Sequence, residues 1–451
     1  MTTLTTTPPP VREATRDDVD SAIARAREAQ PRWAATPGPE RRLVLRRAAA
    51  ALDARRPELV DLVITETGGT RRKAEGEVGD SIEELHLAGA LALTPTAEIV
   101  PSVRPGRENV VERVPVGVIG LITGWNFPMH LALRIAAPAL ALGNAVLLKP
   151  APETPHSGGL AWARVLVDAG LPDGVLAVLP GHDAGPALVE HPGVDMIHFT
   201  GSSAVGRRVA EVAARTLKKV ALELGGNNAA VVLSDADLDL AVSCAAAGTF
   251  VHQGQVCIAT GRHIVVREHA DAYTAALTDH AARLTVGDPA TGDVDLGPLI
   301  SERQAARAAA MVAESVARGA TLHIGGGHDG RYVPATVVSG VRPGMPLFDE
   351  ETFAPVAAIT VAEDDEDAIA LANRTEYGLS AALFTRDVER GRVLARRLRA
   401  GMVHVNDTTA MHEPQVPFGG IGASGCGERF GGSANVDLLT ERRWISVQGS
   451  M

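Results

Sequence analysis

The sequence predicts an α/β protein built on two doubly wound parallel sheets, and three observations carry that expectation. Short, near-continuous apolar runs alternate with helical patterns between residues 117 and 223. The same alternation resumes in the second half, and 451 residues exceed what one hydrophobic core usually supports. A strand covered by helices on both faces has no solvent side, so it reads as an unbroken apolar run rather than as alternation.

Residues 1–14 are rich in Thr and Pro and read as disordered. Thr15 and Asp18 have capping-box spacing, and Val19, Ala22, Ile23 and Ala26 recur at helical intervals, so the first helix begins there. Helix continues to about residue 92. From 94 to 116 valines sit among Pro, Gly and charge, which suits a β-hairpin or an exposed arm. Strands are then expected at 117–123, 145–149, 175–180, 196–200 and 219–223, with helices after Pro128, from about 156, after 180 and from near Ser203. The second set places strands at 229–233, 263–266, 381–385 and 402–406, with helices running through about 252 and to about 284. The acidic run from Glu363 to Asp367 precedes an apolar helical stretch and complements its N-terminus.

Composition narrows the function classes. The net charge is −11 with no basic stripe, which argues against a nucleic-acid or membrane-surface partner. Cys244, Cys257 and Cys426 are odd in number, far apart and without a CxxC, so a reducing, cytoplasmic setting is expected and a disulfide framework is not. The fourteen His show no HExxH-type spacing, so no metal site is expected. The opening MTTLTTTPPP lacks the charged and apolar regions of a secretory signal. The apolar stretch 131–148 contains Arg134, Pro138 and Gly143, and reads as helix, turn and strand rather than a membrane span.

Among the motifs, GIGASG (420–425) fits GxGxxG, yet it follows no clear strand and is set aside as a turn. FTGSSAVG (199–206) is a better anion site: an apolar strand ends at Thr200, Gly201 permits a tight turn, and a helix begins near Ser203. A Ser-capped helix gives the same pattern. Asn126, Lys149 and Glu223 also fall at strand ends, where open parallel sheets place their ligands. Cys257 closes the run GQVC (254–257), downstream of LELGG (222–226) and GWNFP (124–128). A thiol, a carboxylate and an amide are the parts needed to oxidise an aldehyde through a thioester.

With LLKPAPETP (147–155), EETFAPV (350–356) and VPFGGIGASG (416–425), these motifs occur in order, and from about residue 15 to 448 the chain resembles the NAD(P)-dependent aldehyde dehydrogenase superfamily. GGNNAAVVL (225–233), FVHQGQVC (250–257), NDTTAMHEPQVPFGG (406–420) and RFGGSANVDLLTERRWISV (429–447) are similar to its benzaldehyde and vanillin dehydrogenase branch. The resemblance implies an aldehyde dehydrogenase-like fold. Its cofactor-binding domain would span 1–96 and 115–223, its catalytic domain 224–428, and a small β oligomerisation element 97–114 and 429–451, pairing subunits into homodimers or homotetramers.

It further implies that Cys257 is the nucleophile, Asn126 an oxyanion donor and Glu223 the base. NAD or NADP would meet Thr123, Trp125, Lys149, Glu153, Thr200, Gly201, Ser202, Gly206, Leu224, Gly225, Glu351 and Phe353. The family's usual acid three residues after the lysine is Pro152 here, with Glu153 following, so the choice between NAD and NADP stays open. The aldehyde pocket would use Phe127, Leu131, Arg134, Val256 and Ile258. Phe127, Leu131 and Arg134 share a helical face, so Arg134 either points into the tunnel or pairs with an internal acid. A tunnel guanidinium would also suit an acid semialdehyde of the succinate-semialdehyde type, the alternative substrate class. A non-enzymatic relative that kept the fold is the remaining alternative.

Overall fold

The computed structural model describes residues 9–449, which form three sheets. The first is six-stranded. Lys219–Glu223, Met196–Thr200, Val118–Ile122, Ala145–Lys149 and Leu176–Val178 lie side by side in parallel, as doubly wound connections require. Every residue of Val118–Ile122 and Ala145–Lys149 is buried, which explains their unbroken apolar sequence. The second sheet has seven strands, with Asn228–Val232 and Thr260–Val266 at its centre, and it is parallel except for its edge strand Thr321–Ile324.

Several expectations change. Strands Thr321–Ile324, Thr336–Ser339 and Val356–Ala362 were not foreseen. Gly425–Cys426 pairs antiparallel with Lys219–Glu223 and so belongs to the first sheet, not to the unit expected to end at 428. Phe430, Leu438 and Leu439 pack in the same apolar cluster as Leu133 and Ala137, which moves 429–439 out of the arm. The arm proper is Ala97–Val100, Arg107–Pro115 and Thr440–Gln448, the last paired over nine residues with the second. Residues 9–14 are tied down rather than disordered, although only Ala14 is buried: Ala14 N–H donates to Pro180 O (2.7 Å), and His156 Nε2 donates to Pro9 O (2.9 Å). The rest of the stretch read as disordered, 1–8, lies outside the described residues. Among the described residues no helix is long and apolar enough to cross a membrane.

The helix that orders the site is Pro128–Ala141, buried at every position. A helix buried on every face belongs inside a core, and here it packs against helix Arg71–Leu91. That neighbour contributes a buried ion pair, Lys73 with Glu77, whose side chains are 3% and 0% exposed. Glu77 Oε1 accepts from the N–H groups of Met129 (2.8 Å) and His130 (3.4 Å). The carboxylate therefore caps donors that the helix start leaves unpaired, and its charge suits the positive end of the helix dipole. Glu77→Ala leaves Lys73 as a lone buried cation and uncaps the helix. Chemical denaturation should show a loss of about 3–5 kcal/mol, with a smaller loss when Lys73→Met accompanies it. Equal losses in single and double variants would deny the pair its coupling.

Candidate active site

Adjacent parallel strands deliver their last residues, or the loop that follows, to one edge of the first sheet. Lys149, Thr200 and Glu223 end their strands, and Asn126 lies four residues beyond Val118–Ile122. This is the carboxyl edge, where open α/β sheets bind ligands. Cys257 arrives from the other sheet, on the turn between helix Leu238–Phe250 and strand Thr260–Val266.

That turn is strained. The expected helix stops at Phe250, and His252, Gln253 and Gly254 follow at φ 47°, 56° and 70°. A left-handed conformation costs a non-glycine residue roughly 1–3 kcal/mol and persists only where its surroundings enforce it. Here Gln253 Nε2 donates to Gly68 O (3.0 Å) and Pro298 O (3.1 Å), and Gln255 Oε1 accepts from Ile300 N–H (2.9 Å). A Cβ on Gly254 would lie 2.2 Å from Ala354 O, so glycine is obligatory there.

Side-chain amides fix the cysteine itself. Asn126 Nδ2 donates to Gln255 O (2.9 Å). Asn228 Nδ2 donates to Cys257 O (2.9 Å) and Ala259 O (2.7 Å), while its Oδ1 accepts from Ser380 N–H (2.9 Å). Thr409 Oγ1 donates to Ile258 O (2.8 Å). Asn227 does similar work on the other side, donating to Phe348 O and Glu350 O beside Glu351. Apart from Asn126, the sequence reading missed these positioning residues. The paired asparagines in GGNNAAVVL were the available signal, because a buried amide demands acceptors.

A cavity of about 800 Å³ opens in front of the thiol. Asn126, Cys257 and all five expected pocket residues, Phe127, Leu131, Arg134, Val256 and Ile258, line it. Glu223 is buried beyond them, its Oε2 without a hydrogen-bond partner. Arg134 does reach the cavity. Its guanidinium carbon lies 4.3 Å from the Phe418 ring centre and 3.8 Å from that of Phe430. The expected alternative, an ion pair with an internal acid, is not found: no carboxylate comes within 4.0 Å of it among the described residues.

Burial sets the protonation states. It pushes the Cys257 thiol up to about 12; Glu351 and Glu223 push the same way, and the Arg134 charge opposes them. Burial raises Glu223 to about 8 against Arg134 and Arg429, and Glu351 to about 7 against a hydrogen bond from Gly226 N–H (3.0 Å). The thiol therefore stays protonated at neutral pH unless a base takes its proton, and burial leaves the Glu223 carboxyl titrating near 8.

The residues expected at the cofactor occupy the neighbouring edge. Thr123 Oγ1 is buried without a partner, and Lys149 is 9% exposed with no hydrogen-bond acceptor among the described residues. The helix Ser203–Ala214 exposes its start beside Thr200 and Gly201. Ser202 Oγ accepts from Val205 N–H (3.4 Å), so the hydroxyl also caps that helix. Gly206 lets Leu224 close in, and a Cβ on Gly225 would lie 2.1 Å from Glu351 Oε2. Trp125 meets Phe353 edge-on at 5.5 Å, joining loops from the two sheets. Glu153 is exposed at the rim of a second cavity of about 350 Å³ with Pro152 and Glu13, close enough for its charge to act on Lys149. Orphaned donors at a sheet's carboxyl edge suit a polar, anionic dinucleotide. The set motif GIGASG is structural: Ala423 O accepts from Ser203 Oγ (2.7 Å), and Ser424 O from Leu224 N–H (3.0 Å).

The comparisons agree in kind. A benzaldehyde dehydrogenase [NAD(+)] of Pseudomonas putida is 51% identical over 435 residues, covering 96% of this chain and 89% of the relative. A vanillin dehydrogenase of an Amycolatopsis species is 46% identical over 440 residues, covering 97% and 90%. The crystal structure of a salicylaldehyde dehydrogenase from Pseudomonas putida G7, complexed with salicylaldehyde, superposes with a TM-score of 0.94 at 34% identity, covering 97% of this chain and 91% of that one. The profile of the aldehyde dehydrogenase family matches residues 6–445, and with likeness of this extent in sequence and in fold the chain belongs to that family.

Proposed function

We propose that this enzyme oxidises an aromatic aldehyde to its carboxylic acid with NAD or NADP, through a thioester on Cys257. The observation that carries the reading is one cavity in which Cys257 and Asn126 face apolar walls from Phe127, Leu131, Val256 and Ile258. Flat apolar walls suit an aromatic ring, and the relatives are named for ring aldehydes rather than for acid semialdehydes.

Glu223 takes the thiol proton, and the sulfur adds to the carbonyl carbon while the π pair moves to oxygen. Asn126 Nδ2–H and the Cys257 backbone N–H stabilise that oxyanion. When bound, the nicotinamide would accept a hydride; the C–H bond of the thiohemiacetal carbon would break with its pair as the oxyanion pair re-forms the carbonyl, leaving a thioester on Cys257. Once Glu223 has passed the thiol proton to solvent it removes a proton from water, the water oxygen attacks, the C–S bond breaks with its pair on sulfur, Glu223 returns the proton to that sulfur, and the acid departs. Thr123, Trp125, Lys149, Glu153, Thr200, Gly201, Ser202, Gly206, Leu224, Gly225, Glu351 and Phe353 are the residues proposed to hold the cofactor.

Nicotinamide reduction followed by absorbance, with benzaldehyde and each cofactor, tests the reading; no turnover with either would end it. The pH dependence is specific. Glu223 works as its carboxylate, which forms in the free enzyme as pH rises through about 8, so kcat/KM should climb across that value and flatten above it. Glu223→Gln should abolish the step. The same raised pKa means that the folded state holds the proton more tightly than the unfolded one, so stability should fall as pH rises toward 8.

We further propose that the enzyme is a cytoplasmic homodimer or homotetramer. All three cysteines are free, and strand Thr440–Gln448 exposes Trp444 (65%) and Val447 (51%), with Ile99 (73%) exposed two strands across the same arm. The mass in solution tests the assembly.

A further inference from the structure

Arg429 is a charged residue to which the reaction assigns no task. It lies outside the cavity that Asn126 and Cys257 line, half-buried on the loop that follows Gly425–Cys426. That loop is tied on both sides of it. Gly425 pairs with Glu223 and Cys426 with Leu222, while Phe418 N–H donates to Phe430 O (2.7 Å) and Phe430 N–H to Phe418 O (3.4 Å). One step along from the two phenylalanines, Arg429 stands opposite Gly419 and folds into the space that the missing side chain leaves. A Cβ on Gly419 would lie 2.5 Å from Arg429 Cδ, 3.0 Å from Arg429 Nη1 and 2.9 Å from Glu223 Oε1. A single point in that notch therefore touches both the guanidinium and the carboxyl group, and any side chain at 419 would part them.

Glu223 is 6% exposed, and its Oε2 has no hydrogen-bond partner. Its charged form therefore depends on neighbouring cations. The groups that face it are Arg134 from helix Pro128–Ala141, Arg429 across the notch, the Cys257 thiol from the second sheet and the Cys426 thiol from the adjoining strand. Arg134 is stacked on Phe418 and Phe430 inside the protein, whereas solvent reaches Arg429. Among the described residues no carboxylate comes within 4.0 Å of Arg429. The two groups face each other without being locked as an ion pair, which leaves the Glu223 side chain free to turn toward the sulfur.

We propose that Arg429 is the positioning residue that keeps the Glu223 carboxylate ready as a base, acting across the Gly419 notch from outside the aldehyde cavity. The inference rests on Glu223 serving as the base of the proposed oxidation, and it names what prepares that base. Burial pushes the Glu223 carboxyl up to about 8 even with both arginines opposing it. A cation favours the carboxylate, so loss of Arg429 leaves Arg134 alone against burial and moves ionisation to higher pH.

The test follows kcat/KM for benzaldehyde against pH, using the full-length enzyme with saturating cofactor. The limb that wild type shows at about 8 should move up by about one pH unit in Arg429→Gln, while the alkaline plateau falls less than about tenfold. Arg429→Lys keeps the charge and should keep most of the wild-type position. Millimolar guanidinium should draw the Arg429→Ala limb back toward it. In wild type alone, high salt should raise the limb, because a half-buried charge is screened more than the buried Arg134, and this readout survives if no variant folds. A limb unmoved in Arg429→Gln, an equal shift in Arg429→Lys, or a fall at every pH without a shift would overturn the inference. Where no variant folds, a wild-type limb indifferent to salt would do the same. A wild type that oxidises no aldehyde, or whose profile has no limb, would instead sink the proposed role of Glu223.

Discussion

Cys257→Ala removes aldehyde oxidation, with a loss in kcat on the order of 10⁴–10⁶-fold, as expected when a covalent nucleophile is deleted. The substitution is small. Its thiol faces the cavity, and the bonds that hold the turn run through the Cys257 carbonyl and through Asn228, Gln253 and Gln255 rather than through sulfur. Stability should change by no more than about 1 kcal/mol, and nicotinamide binding should persist. Loss of both turnover and cofactor affinity would point to a collapsed turn instead of a missing nucleophile. The high resting pKa of the thiol sharpens the expectation: iodoacetamide labelling at Cys257 should be slow at neutral pH and should rise as the pH is raised.

Asn126→Ala is the second large effect, about 10²–10³-fold in kcat with KM little altered. One amide N–H of Asn126 is spent on Gln255 O, two residues before the nucleophile, and this bond keeps the amide beside Cys257. An amide nitrogen carries two hydrogens, so one remains to receive an oxyanion. An interaction made with the charge that develops in the transition state lowers kcat, whereas a loop that merely loosens raises KM. A loss confined to KM would therefore demote Asn126 to a purely structural role.

The sheet strands were legible in the sequence, and the proposed nucleophile stood out in it, for the same reason: each has a local pattern. Ala145–Lys149 and Met196–Thr200 are short apolar runs closed by a polar residue, and the structure reproduces both boundaries. Thr321–Ile324 escaped notice because it is a four-residue edge strand, largely exposed, with no apolar run. Val356–Ala362 is rich in Ala, which suits helix as well as strand. Gly425–Cys426 is too short to have any periodicity. The site divides along the same line. Cys257, Asn126 and Glu223 sit in compact motifs, whereas Asn228 acts on a carbonyl 29 residues away and Arg134 leans on Phe430, far along the chain. Such long-range partners follow from packing and leave no mark in local composition.

The most direct test of the account is intact mass spectrometry of Glu223→Gln after long incubation with benzaldehyde and cofactor at alkaline pH, where solvent base takes the Cys257 proton that residue 223 no longer can. Loss of the water-activating base should trap the benzoyl thioester, adding one acyl group to the chain and mapping to Cys257. An unmodified chain that has nonetheless reduced the cofactor and released benzoate, or an acyl group carried on any other residue, would contradict the mechanism.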